Sequence, residues 1–213
     1  MRLVAGVVGA LVVGCGGGAA PLDGGGAEDG GGGPTDDGGA APDAGPGPTD
    51  ARPPDGPPPS IDRALCDAIN QYRADHGLAA VPVSPALTRV ARFHVEDLTA
   101  HGTGAPGCNL HSWSTGDPRW TGCCYTPDHA QAQCMWIKPR EISAYMSSGY
   151  EIAAGGGGAI TPTQAVGLWD GSTGHRDVVL NQGAWATHPW RAVGCAIETG
   201  YAVVWFGELA DPG

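Results

Sequence analysis

Every tryptophan, histidine and phenylalanine of the 213-residue chain lies beyond residue 60, so only that part carries the large side chains from which a core is built. Residues 16–60 are the opposite: 25 of those 45 are Gly or Pro, and Leu22 is their single large aliphatic residue. A segment that buries so little apolar surface cannot offset the entropy of ordering itself. Residues 16–60 are therefore expected to form a disordered tether, with a flexible Gly-rich half and a stiffer Pro-rich half. Residues 61–213 are expected to form one domain, a size suited to a single core.

The first 15 residues form a third region. Arg2 precedes the apolar run Leu3 to Val13, which is too short to span a bilayer and reads as an export signal. Its end, Val12-Val13-Gly14-Cys15, resembles the bacterial lipobox. That resemblance implies cleavage before Cys15, lipidation of its sulfur and anchoring of the exported protein to the bacterial cell envelope, at the outer membrane or cell surface. Cysteine arithmetic agrees. Setting Cys15 aside leaves Cys66, Cys108, Cys123, Cys124, Cys134 and Cys195, an even set that in an exported domain implies three disulfides. Fifteen pairings are open. A Cys123–Cys124 bridge is disfavoured because adjacent residues close it only under strain.

The formal net charge is −11 and the domain carries no basic run, which excludes the phosphate-neutralising patch of a nucleic-acid binder. A monomer is expected, with the membrane (through Cys15) and an extracellular ligand as its partners.

Within the domain, Ser60 reads as an N-cap, and Ile61, Leu65, Ile69 and Tyr72 recur at helical spacing. Gly77 ends this first helix. Ser84-Pro85 opens a second, with Leu87, Val90, Ala91, His94, Val95 and Leu98 on one face. Residues 103–135 lack periodicity, hold four of the six domain cysteines and read as a disulfide-held loop. Trp113 and Trp120 are its candidates for exposure. Further helices are expected at 139–146, from Pro162 and over 176–180. A strand is expected at 150–154, and a closing hairpin pairs 191–198 with 201–209. The sum is a mixed α/β architecture with helices packed on a sheet.

With these pieces in place the domain resembles the CAP family, also called SCP domains, of cysteine-rich secretory, antigen 5 and pathogenesis-related proteins. The resemblance runs from Asn70-x-x-Arg73 through Gly149-Tyr150-Glu151-Ile152-Ala153 to Trp169-Asp170-Gly171-Ser172-Thr173-Gly174-His175-Arg176 and the closing strands around Cys195 and Trp205. It implies a disulfide-bonded three-layer α-β-α sandwich with a cleft that holds two His and two Glu. Carried over, these are His111, Glu151 and His175, while Gln164 stands where the second Glu belongs. An amide is neither a general base nor a counter-charge for a cation, which argues against an enzyme.

Two readings of this site stay open. His111 and His175 are candidate ligands for Zn²⁺ or another divalent cation. Equally, they are hydrogen-bonded cleft residues, with Glu151 a buried carboxylate paired to a His. The implied function is a surface-anchored binding module for a small molecule, lipid or protein. The alternative is a metal-dependent hydrolase acting on peptide or cell-wall material. His94, on the apolar face of its helix, reads as a core histidine. Ser112 and Ser172 lie beside the cleft histidines but lack a nucleophile-elbow context.

Overall fold

The computed structural model describes residues 60–213. The expected signal segment with Cys15, and nearly all of the expected tether, lie outside the described residues. Helix α1 (Ile61–Asp75) begins where the Ser60 side chain accepts from the Arg63 N–H, and buries Leu65, Cys66 and Ile69 along one stripe. Helix α2 (Pro85–His101) begins likewise on Ser84, whose hydroxyl accepts from the Leu87 N–H at 3.0 Å. It ends at Gly102, whose φ of 60° suits a residue without a side chain. Strand β1 (Gly149–Gly155) follows helix α3 (Ala132–Ile142), and helices α4 (Pro162–Asp170) and α5 (Thr173–Leu180) lead to strands β2 (Ala192–Glu198) and β3 (Tyr201–Gly207).

The three strands form an antiparallel sheet in the order β1-β3-β2. Both faces are covered, so the strands are almost continuously buried instead of alternating with solvent. Val193, Cys195 and Ile197 face a core shared with α1, α4 and α5, while Ala192 and Ala196 face a second core shared with α2 and α3. This is the expected three-layer α-β-α sandwich. Its α+β character comes from the antiparallel pairing.

Cys66 on α1 bridges Cys195 on β2, 129 residues apart. Cys108 pairs with Cys124, and Cys123 with Cys134. All six domain cysteines are thus in three bridges, and the two adjacent cysteines belong to different ones.

The helix expected at 139–146 lies at 132–142 instead, with Pro139 inside it. Its buried face is Met135, Lys138, Pro139 and Ile142. A lysine in that stripe hides the helical period. Lys138 is 1% exposed, and its ammonium donates to the Thr121 carbonyl and to Glu141 Oε2. Burial pushes it below the usual lysine range, although Glu141 and Asp97 pull it back. Trp113 and Trp120 are also buried, at 3% and 6% exposure, against the expectation from the sequence. Trp113 stacks on His94, meets Trp120 edge to face and receives the Lys138 ammonium over its ring. The loop therefore folds in to form part of the second core.

Gly194 fixes how closely α2 approaches the sheet. A Cβ there would lie 2.1 Å from the Leu87 carbonyl carbon and 2.2 Å from the Thr88 nitrogen, both helix backbone. Gly194→Ala is expected to destabilise the domain by about 1–3 kcal/mol through overpacking. A lower urea midpoint with unchanged slope would show it.

Candidate functional site

Four elements meet at the site. Glu151 sits in β1 opposite Trp205, on the same sheet face as Ala153, and so points toward α2. His94 rises from the middle of α2 to meet it. His111 comes from the disulfide loop, and His175 from the first turns of α5.

The Glu151 side chain is wholly buried, and each of its oxygens has an imidazole partner. His94 Nδ1 bonds Oε1, and His111 Nδ1 donates to Oε2 at 2.8 Å. His94 Nε2 lies 3.0 Å from the Ser112 carbonyl. Both ring nitrogens of His94 thus lie against oxygen atoms, Glu151 Oε1 on one side and the Ser112 carbonyl on the other. Burial alone would raise the Glu151 carboxyl. The charge of His94 and the hydrogen bonds from His111 and His94 outweigh it and hold the group below the usual carboxylate range.

His111 keeps 12% of its side chain exposed, beside the ring of Tyr125. With Nδ1 committed to Glu151, its Nε2 edge is the one available to a ligand. Burial and the charge of Glu151 raise the Tyr125 phenol to about 12, so it stays neutral. His175 Nδ1 lies 2.9 Å from Ser172 Oγ, leaving Nε2 as its other edge. Burial, reinforced by the nearby His111, pushes His175 down to about 4. At neutral pH it is an uncharged imidazole.

His111 and Glu151 are therefore in direct contact, and His175 lies near His111. Gln164 is different. It is exposed, and its carbonyl accepts from the Thr161 N–H and hydroxyl in a capping box that starts α4. No hydrogen bond of the described residues joins it to the histidines or to Glu151. The resemblance implies a place beside the cleft for Gln164, and the described hydrogen bonds put its amide at the start of α4.

His94 is a core residue, but it is also the second partner of Glu151, a role the sequence reading missed. Its signal was present, since a histidine on an otherwise apolar face needs polar partners. Ser112 does not stand as a nucleophile. It is 3% exposed, and its hydroxyl is clasped between the Tyr125 N–H and carbonyl.

The donor set also bears on zinc. Two imidazole edges fall short of the three protein ligands used by a zinc centre with an open position. Among the described residues, no group of three or more His, Cys, Asp or Glu is arranged to hold a metal ion. The residues present do not fit a resident catalytic zinc.

A three-layer sandwich closed by disulfides, with a histidine-bracketed carboxylate buried between its sheet and second helix, defines a small disulfide-bonded α+β domain. The CAP family model, described as "Cysteine-rich secretory protein family", matches residues 66–206, and the chain belongs to this family. Among solved structures, an outer surface protein of Borrelia burgdorferi is similar at 18% identity, over 68% of this chain and 90% of that one, with a TM-score of 0.45. An extracellular SCP-domain protein of Bacillus anthracis is similar at 18% identity over 68% of this chain, with a TM-score of 0.47. A cysteine-rich secretory protein of Staphylococcus aureus is similar at 14% identity over 70% of this chain, with a TM-score of 0.44. The chain spans 39% of the length of each of the last two. No curated protein matches it by sequence.

Proposed function

We propose that the domain is an extracellular binding module, held at the bacterial cell envelope through a lipidated Cys15, whose cleft engages ligand at the Nε2 edges of His111 and His175. The observation that carries this reading is the way both imidazoles are held from behind. Glu151 fixes one ring and Ser172 the other, and His175 is uncharged at neutral pH. Such edges bind by hydrogen bonding or by donating a lone pair to a soft cation. They lack the general base a hydrolase needs, because Glu151 has both oxygens committed and Gln164 caps a helix.

A divalent cation would then join as part of the ligand, with further donors from the bound molecule. Calorimetric titration of the full chain with Zn²⁺ alone tests the site. Weak uptake is expected, reduced at least tenfold in His111→Ala and in His175→Ala, as loss of one of two donors implies. Stoichiometric zinc that survives dialysis, together with peptide or cell-wall hydrolysis abolished by His175→Ala, would overturn this reading in favour of a metal-dependent hydrolase.

Export and anchoring rest on the signal run, the Gly14-Cys15 junction and the six paired domain cysteines. Cys15→Ser is expected to move the protein from the membrane fraction to the soluble one. Retention on the membrane would count against the anchor.

A further inference from the structure

The three disulfides differ in how far they lie from solvent. Cys66 and Cys195 are 1% and 0% exposed, inside the core between α1 and the sheet. Cys108, Cys123 and Cys134 are half-buried, and Cys124 is exposed. Cys108 and Cys124 also line a depression of about 370 Å³ between the end of α2 and the disulfide loop, which leaves room for a small molecule beside their bridge. Exchange of a disulfide with an outside thiol depends on such access, so the three bridges are not equivalent toward one.

What the outermost bridge holds is the approach to His111. The backbone hydrogen bonds of residues 103–108 are local: the Gly104 N–H donates to the His101 carbonyl, Ala105 to Thr103 and Cys108 to Ala105. Just past the bridge, the Asn109 N–H donates to the Tyr125 carbonyl at 2.8 Å, and the Asn109 side chain accepts from the His111 N–H at 3.0 Å. His111 is thus oriented by a segment that Cys108–Cys124 ties down. The residues that follow are fixed from elsewhere. Ser112 and Trp113 are buried, and Trp113 pairs with the Cys123 backbone in both directions and stacks on His94. That pairing also holds Cys123, and Cys134 sits in the first turn of α3. Opening Cys108–Cys124 therefore loosens residues 103–111, while Glu151 keeps His94 and the α1–β2 bridge keeps the sandwich closed.

We propose that Cys108–Cys124 is a thiol-exchange site, at which an extracellular low-molecular-weight thiol unclasps the loop, releases His111 from Glu151 and switches the cleft off. This rests on the reading of His111 as a ligand edge. The outside thiolate attacks the Cys124 sulfur, the Cys108–Cys124 bond breaks, and Cys108 leaves as a thiolate that takes a proton from water. A second outside thiol attacks the mixed disulfide on Cys124 and departs as the small-molecule disulfide. The bridge has then gained two electrons and two protons, and the outside thiols have lost them. The Trp113–Cys123 pairing keeps Cys124 in place, so reoxidation closes the same bridge.

The test is graded reduction of the oxidised full chain with dithiothreitol, read by thiol tagging with peptide mapping and by the His111 ring signal in NMR, identified by its disappearance in His111→Ala. Cys108 and Cys124 should take the tag first, with Cys66 and Cys195 protected until the domain unfolds. In that partly reduced state the His111 signal should shift, Zn²⁺ uptake should fall at least tenfold, and both should return on reoxidation. Cys108→Ser/Cys124→Ser should show the shifted signal without reductant; if that variant does not fold, the wild-type titration decides alone. The proposal is overturned if another bridge opens first, if all six cysteines are tagged together as the domain unfolds, or if the His111 signal stays in place once Cys108 and Cys124 are tagged. Zinc uptake absent even from the oxidised chain would instead defeat the cleft reading, and the His111 signal would still decide whether the loop is unclasped.

Discussion

Glu151→Ala should cost the domain about 3–5 kcal/mol, the penalty for removing one partner of a buried, hydrogen-bonded charge pair. The expectation follows from what the substitution leaves behind. His94 is wholly buried, and its Nδ1 would lose its only acceptor in a space too apolar to supply another. His111 would lose the bond that orients it. Urea unfolding should show a markedly lower midpoint at unchanged slope. Glu151→Gln should cost less, since its amide keeps one acceptor.

The same carboxylate sets a pH dependence. Its folded-state pKa lies below its unfolded value, so its contribution is fully present above the unfolded value of about 4.5 and is lost as pH falls through the folded value. In acid, stability should therefore fall more steeply for the wild type than for Glu151→Gln. Equal slopes for the two would contradict a buried ionised Glu151.

The second large effect belongs to the bridge between α1 and β2. Replacing Cys66 and Cys195 together by alanine should destabilise the domain by about 5 kcal/mol, because the closed loop spans 129 residues and its closure entropy returns to the unfolded chain. Both sulfurs lie in the core shared by α1 and the sheet, so the loss includes packing. Opening the shorter bridge Cys108–Cys124, with a separation of 16 residues, should cost about 3 kcal/mol. Midpoints for the two double variants in that order would check the ranking.

What could be read from the sequence tracks how local the governing interaction is. Helices α1 and α2 and the closing hairpin were legible because their caps and periods are written within a few residues, as at Ser60, Ser84-Pro85 and Thr199-Gly200. Helix α3 was displaced because Lys138, a residue that normally faces water, sits on its buried stripe. Its burial depends on Thr121, Glu141 and Trp113, none of which its own helical period reveals. Trp113 and Trp120 were misjudged for the same reason, since the partners that cover them come from α2 and α3.

His111, Glu151 and His175 were singled out by their motif context, and His111 and Glu151 are hydrogen-bonded to each other. The pairing of Glu151 with His94 was not legible, because it joins residues 57 apart and is settled only when α2 lies on the sheet. Gln164 shows the converse. Its spacing from Trp169 suggested the cleft, while Thr161-x-x-Gln164 is also a capping box, a local signal the motif context masked.

Cys123 and Cys124 stand side by side yet are bound to partners on opposite sides of them, Cys134 ahead and Cys108 behind. Exchanging the two would give a covalent isomer shifted by a single residue. Chain entropy barely distinguishes the isomers, because the closed loops differ by only one residue each. The choice falls to the backbone pairing of Trp113 with Cys123, which fixes that residue's side chain on one face and sends Cys124 to the other. During oxidative folding, chains that oxidise before this pairing forms are trapped in the wrong isomer until thiol exchange reshuffles them, over seconds to hours. The yield of native protein is therefore governed by how long the bridges stay exchangeable, and a producing cell without a disulfide isomerase should accumulate a fully oxidised species of native mass with a distorted His111 loop.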